Sequence, residues 1–456
     1  MASTISQITS KHRPDLRYYE DIYKHFHAHP ELSNQEKETS ERIVEELKKI
    51  SPEFDIRPNI GGYGIAALLN NGPGKTVLLR ADIDALPIEE KTGLPYASKV
   101  RQVSTADGQE KPVMHACGHD MHITCLLIAA HTLVSAREAW TGTLILIFQP
   151  AEERGTGARA MVDDGLYDPK KHAVPIPDIV LGAHVVPWRS GTLGTRRGLI
   201  ATSADSMRIT LHGRGGHASM PARLVDPVLM AAHTVVKLQT IVSRETDPLD
   251  SAVVTVAGLQ AGSVEAENIV VDEARLSVDV RAVNQQTRER ALESVRRIVQ
   301  AESYSLRGTA EPTIEVSRDF PLTINDEAVT KVLEQNFTAH FSSTPPTPST
   351  DGIPNQDQTT ANPKANQDGI HYTCSCEKLS GSEDFSILGS SINKPTSFFM
   401  YGGTPHELYD QLEKEGKLHE GVPTNHNSKF APMVQPTMRV GSEGYVVAAL
   451  GWLVKG

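Results

Sequence analysis

Within residues 113–123, VMHACGHDMHI, the side chains His115, Cys117, His119 and His122 stand around Asp120, and Cys and His are ligands for borderline-soft metals such as zinc. The bland alternative is a polar loop running into a helix with incidental histidines. Further along, Glu152 and Glu153 form a paired carboxylate in QPAEE, His184 lies in GAHV, and His426 lies in TNHN. Two divalent ions about 3.5–4 Å apart need a bridging ligand and roughly two further protein ligands each, with room for a water. The set Cys117, His119, Glu153, His184 and His426 meets that count. A thiolate in such a site is deprotonated by the metals. Glu152, beside a ligand, is free to take a proton from water, and the chemistry is metal-assisted hydrolysis. A thiol nucleophile at Cys117 with His119 is the competing chemistry; it would ignore chelators.

These residues are far apart in sequence, so the fold must gather them. Helices are predicted over 14–28 and from Ser33, where Ser33 and Glu36 stand in capping-box spacing and Ile43, Leu47 and Ile50 mark an apolar face. Short apolar runs predict buried strands over 64–69, 76–81, 143–148 and 178–182, with an apolar helix over 119–136 between them. Strands alternating with helices indicate an α/β fold with a mainly parallel sheet. Ligands bind beyond the carboxyl ends of such strands, the edge to which Asp82, Asp84, Glu152, Glu153 and His184 are delivered.

From about residue 202 the pattern becomes βαββαβ, with strands over 206–213, 252–259, 275–283 and 313–316 and helices over 225–244 and 288–302. That is the ferredoxin-like order, complete in itself. It predicts a catalytic domain in two parts, 1–201 and 319–456, interrupted by an inserted domain, 202–318. After the insert come a strand over 397–401, a turn at Gly402-Gly403-Thr404, and the His426 loop ahead of an apolar helix. Residues 342–368 read as a mobile loop, and Cys374 and Cys376 of HYTCSC as small residues on one face of an alternating strand.

Composition narrows the function. A net charge of −11 over 456 residues leaves no broad basic face, which argues against a nucleic-acid partner. No apolar run reaches the ~18 residues needed to span a bilayer and no leader pattern opens the chain, so a cytoplasmic protein without membrane partners is expected. Four cysteines are too few for a disulfide framework and suit a reducing compartment.

The motifs RADIDALPI, MHACGHDMH, FQPAEE, GAHV, GRGGHASMPA and TNHNSKF, in this order, resemble a family of co-catalytic metal-dependent amidohydrolases. That family contains hippurate hydrolase, N-acyl-amino-acid amidohydrolases and plant auxin-conjugate hydrolases. The resemblance implies a zinc-aminopeptidase-like catalytic domain with an inserted ferredoxin-like lid that mediates homodimerisation. It implies two divalent ions (Zn, Mn, Co or Ni), bridged by Cys117, with His119 and His184 completing one site and Glu153 and His426 the other. Glu152 takes the place of the general base and Asp84 that of the carboxylate that orients a ligand. Asp82 stands where more distant relatives have a ligand histidine. His217 resembles the histidine that reaches a neighbouring subunit's site and stabilises the oxyanion, while Asn268 and Arg281 match substrate-binding positions of the lid. The implied reaction is hydrolysis of an N-acyl or N-aroyl amino acid, or a related small amide conjugate. The alternatives are a carboxypeptidase-like dipeptide hydrolase of the same fold and a non-catalytic metal-binding homologue.

Overall fold

Thr76–Asp82, Thr143–Gln149 and Ile179–Arg189 carry apolar runs without alternation, which are stable only with both faces covered. In the computed structural model, which describes residues 2–342, 369–379 and 381–455, they lie parallel and adjacent at the centre of an eight-stranded sheet. The predicted mobile loop falls almost wholly on 343–368, outside the described residues. Thr396–Thr404 continues the parallel set beside Ile179–Arg189. An antiparallel hairpin, Asp55–Ile60 with Gly64–Asn70, extends one side, and the short strands Thr192–Gly194 and His371–Thr373 extend the other. Asp82 pairs with Gln149 in register, so two neighbouring strands end in step and their following loops start side by side.

Val77, Leu79 and Ala81 face a core shared with the helices His119–Ser135 and Thr437–Leu453, and both helices are apolar nearly all round. Glycines let them approach: a Cβ on Gly441 would stand 2.7 Å from Cys125 Sγ, and one on Gly444 2.7 Å from a Phe399 ring carbon. Contacts divide the chain into two units, one of Met1–Ile200, Ile324–Glu377 and Asp384–Gly456, the other of Ala201–Thr323 and Lys378–Glu383. No helix of the described residues is long and apolar enough to cross a membrane.

Local expectations are corrected at three places. The helix expected from Ser33 begins at Lys37, and neither Ser33 nor Glu36 caps it, because both side chains are engaged elsewhere. Gly402-Gly403-Thr404 is no turn but the end of a buried strand, where a Cβ on Gly402 would come within 2.0 Å of the Arg189 carbonyl oxygen. These glycines mark close strand approach. The HYTCSC strand stops at Thr373, leaving Cys374 exposed and Cys376 buried rather than sharing a face.

One buried carboxylate ties the ends of the first unit together. Glu443, on Thr437–Leu453, bonds Arg13, accepts from Arg439 Nε at 3.1 Å and lies 3.0 Å from His340 Nε2. Burial opposes the charge, but the hydrogen bond from His340 and the positive charges of His340, Arg439 and Arg13 outweigh it and lower the carboxyl to about 2. Its stabilisation is therefore complete above the ordinary value of 4.5 and is lost as pH falls through the depressed one. Glu443→Gln is expected to cost about 3 kcal/mol at pH 7. The gap in melting temperature between the two proteins should close between pH 4.5 and about 2. A gap that stayed constant over that window would show that the charge contributes nothing.

The second unit is a four-stranded antiparallel sheet in the order Ala252–Gln260, Glu273–Ala282, Ser203–His212, Thr313–Phe320. Its strands alternate buried and exposed residues, as a sheet covered on one face must. The helices Pro227–Thr240 and Gln285–Ser305 supply the covered face and are capped by Asp226 and Asn284; the first ends in a π turn over Ile241–Glu245. Arg288 joins the second helix to the sheet through a bidentate pair with Asp205 at 2.8 and 2.7 Å.

Candidate metal centre and active site

Gly118 adopts a left-handed φ of 85° and turns the chain from Cys117 into the helix His119–Ser135, so the two donors sit on either side of the helix start. His119 is buried; its Nδ1 lies 2.8 Å from the Asp84 carbonyl oxygen, which leaves Nε2 facing the carboxylates. Nε2 is 3.5 Å from Asp82 Oδ2, 3.8 Å from Glu153 Oε1 and 4.0 Å from Glu152 Oε2. His184 lies within Ile179–Arg189; its Nδ1 is 2.6 Å from the Val185 carbonyl, and Nε2 is 3.4 Å from Cys117 Sγ. His426 Nε2 is 3.3 Å from Glu153 Oε2. The His426 loop is sewn to the same place by Asn425, whose side-chain amide donates to the Cys117 and Val185 carbonyls at 3.1 and 3.2 Å, while His426 N–H donates to Ala116. All five predicted ligands and Glu152 therefore converge at the carboxyl edge of the sheet.

The donor chemistry fits divalent metal. His119 Nε2 and Glu153 Oε1 are buried without a hydrogen-bond partner among the described residues, a costly condition for polar atoms. Cys117, His119 and Glu153 offer donor atoms within 4.8 Å of one another. The charge balance points the same way. Burial, then Glu153, Glu152 and Asp82, pushes the Cys117 thiol well above its ordinary range. For His119 burial favours the neutral ring, but Asp82, Asp84 and Glu153 prevail and raise it to about 10. A buried donor set this rich in carboxylate takes cations readily, and thiolate with imidazole selects the borderline-soft ones.

Several groups outside the predicted set support it. His122 has no free nitrogen: Val185 N–H donates to Nε2 at 2.8 Å and Nδ1 lies 2.5 Å from Asp82 Oδ1, so the ring holds its neighbours rather than a metal. Its position three residues after His119 was the available signal. Arg80, wholly buried, donates to Asp82 at 2.8 Å and to Gln149 at 2.8 Å, and Gln149 donates to Asp384 at 2.6 Å. Asp82, of uncertain role from the sequence, thus receives Arg80 and His122 and braces the two histidines.

In the second unit, Gly216–His217 pairs with Ile269–Val270, and Ala218 N–H donates to the Asn268 carbonyl at 2.9 Å, which brings His217 and Asn268 into one small ribbon. His217 is exposed, and its Nδ1 accepts from Ser219 N–H at 3.1 Å. Arg281, on Glu273–Ala282, donates to Asp279 at 3.0 Å.

Residues 78–422 match the description of peptidase family M20/M25/M40. The chain is 30% identical over 453 residues to thermostable carboxypeptidase 2 of Saccharolobus solfataricus, covering 97% of this chain and 98% of that one. It is 38% identical over 314 residues to hippurate hydrolase of Campylobacter jejuni, covering 68% and 76%. Among solved structures, the YXEP protein of Bacillus subtilis, a dinuclear metal binding peptidase from the M20 family, superposes with a TM-score of 0.66 at 24% identity over 95% of this chain and 97% of that one.

Proposed function

Because the chain belongs to peptidase family M20/M25/M40, we propose that it cleaves the amide bond of N-acyl or N-aroyl amino acids, or of related small amide conjugates, to a carboxylic acid and an amino acid. The observation that carries this reading is the convergence of Cys117, His119, Glu153, His184 and His426 with unsatisfied donor atoms beside Glu152. These five residues would hold two divalent ions of the zinc, manganese, cobalt or nickel kind, with Cys117 shared between them. When bound, the ions supply Lewis acidity toward the amide carbonyl and acidify a water.

The chain's own residues do the rest. Asp84 fixes His119 through its carbonyl and holds Glu153 through the Glu153 N–H, 3.1 Å from Asp84 Oδ2. Glu152 takes the proton of the attacking water and passes it to the leaving amine nitrogen. His217 donates to the oxyanion from a second copy of the chain in a homodimer, and Asn268 and Arg281 receive the substrate's free carboxylate.

The full-length likeness to a carboxypeptidase favours one second reading, hydrolysis of dipeptides, with the same carboxylate recognised. Metal-loaded protein should therefore be assayed on N-acyl amino acids, their amides, and dipeptides of the same residue. The acids are expected to be cleaved at least about tenfold faster than the amides, because the amides forfeit the charge-assisted bond to Arg281, and chelation should abolish the rate. Faster turnover of dipeptides would establish the second reading, and equal rates on acid and amide would remove Arg281 and Asn268 from substrate binding.

A further inference from the structure

Asn34 and Ala151, both non-glycine, hold left-handed backbone, at φ 65° and φ 49°. Asparagine tolerates that region, whereas alanine has no side-chain hydrogen bond to offset the strain. Both backbone N–H groups donate to one atom, Glu36 Oε1, at 2.9 and 2.8 Å. Glu36 is completely buried, and its other oxygen has no hydrogen-bond partner among the described residues. A buried carboxyl is an expensive way to satisfy two backbone donors.

The turn it holds is the one that presents Glu152 and Glu153. Ala151 immediately precedes the 3-10 turn Glu152–Arg154. Two positions on, Glu153 N–H donates to Asp84 Oδ2, the oxygen that also receives the Ser33 hydroxyl at 2.6 Å. Ser33 and Glu36, whose spacing reads as a helix cap, thus serve the two N–H groups that flank Glu152. Gly157 completes the support, since a Cβ there would stand 1.5 Å from the Pro150 carbonyl oxygen.

We propose that Glu36 is a positioning residue for the general base: by accepting the Ala151 N–H it holds the strained turn that aims Glu152, while Asp84, braced by Ser33, separately holds the ligand Glu153. This rests on Glu152 being the base. Burial, then the charge of Asp84, raises the Glu36 carboxyl to about 8, so at neutral pH it is largely the uncharged acid and glutamine is its close mimic.

The test uses the metal-loaded full chain and the fastest N-acyl amino acid substrate, with Glu152→Gln assayed alongside. Glu36→Gln keeps the acceptor and should hold kcat within about threefold. Glu36→Met, similar in length without the acceptor, should lose kcat about 30-fold or more, with KM within about twofold and metal content unchanged. Adding Ala151→Gly to Glu36→Met should restore at least about tenfold of kcat, because glycine adopts the left-handed turn without help. If Glu36→Met does not accumulate as folded protein, Glu36→Asp, which withdraws the oxygen by one methylene, takes its place with the same expected loss. Equal losses in the Gln and Met variants, a Met or Asp variant as active as the wild type, or no recovery with Ala151→Gly would each overturn the positioning role. Full activity in Glu152→Gln would instead remove the base assignment and the proposal with it, so the two failures are told apart.

Discussion

Glu152→Gln is expected to lower kcat about 100-fold to 10,000-fold while leaving two ions bound per chain. Glutamine keeps the shape and the hydrogen bonding of the turn but cannot accept the proton from water. Glu152 is 5% exposed and follows left-handed Ala151, and its Oε2 stands 4.0 Å from His119 Nε2, beside the donors. Glu153→Gln should behave differently. One Glu153 oxygen lies 3.3 Å from His426 Nε2 and the other is a buried orphan, so the loss there is first of metal and only then of rate. Metal analysis with single-turnover rates separates the two variants. If Glu153→Gln kept its ions and Glu152→Gln lost them, the two roles would be exchanged.

If His217 acts as proposed, His217→Ala is expected to keep the fold, oligomeric state and metal content of the wild type and to lose kcat by about 100-fold, the usual cost of one oxyanion donor. His217 is exposed on a two-residue ribbon, so its removal disturbs no core. The proposed trans arrangement makes a sharper forecast. Mixing Glu152→Gln chains with His217→Ala chains should restore about a quarter of the wild-type rate after subunit exchange, since half of the dimers then contain one site with both residues intact. A mixture as inactive as its components, with exchange verified, would exclude action of His217 across a dimer.

That Cys117, His119 and Glu153 come together was legible because their residue types are few and their placement obeys topology: Cys117 and His119 in one dense cluster, and Glu153 just beyond a buried strand. The α/β class and the family resemblance were legible for the same reason and are borne out by the sheet and by the match over 78–422. Spacing alone failed where one local pattern serves two purposes. Ser33 and Glu36 have the spacing of a capping box, but Glu36 accepts the Ala151 N–H instead, and the Glu31 carboxylate takes the helix's Glu38 and Thr39 N–H groups in its place. Gly402-Gly403 has the composition of a turn, yet the pressure of the Arg189 carbonyl requires glycine within a strand. Arg80 was invisible as a brace because one partner, Asp384, is 304 residues away. No local window contains that contact.

The helix Thr437–Leu453 lies at the middle of the first unit's core although it follows every other element of that core in sequence. During synthesis the chain emerges in order, and domains fold as units. Ala201–Thr323, nearly the whole of the second unit, leaves the ribosome while the first unit still lacks both its last helix and His426. The insert is therefore the first part able to settle, and the surrounding unit must wait with its apolar strands uncovered. With His426 among the proposed ligands, the metal site can be completed only after that last stretch of chain has emerged.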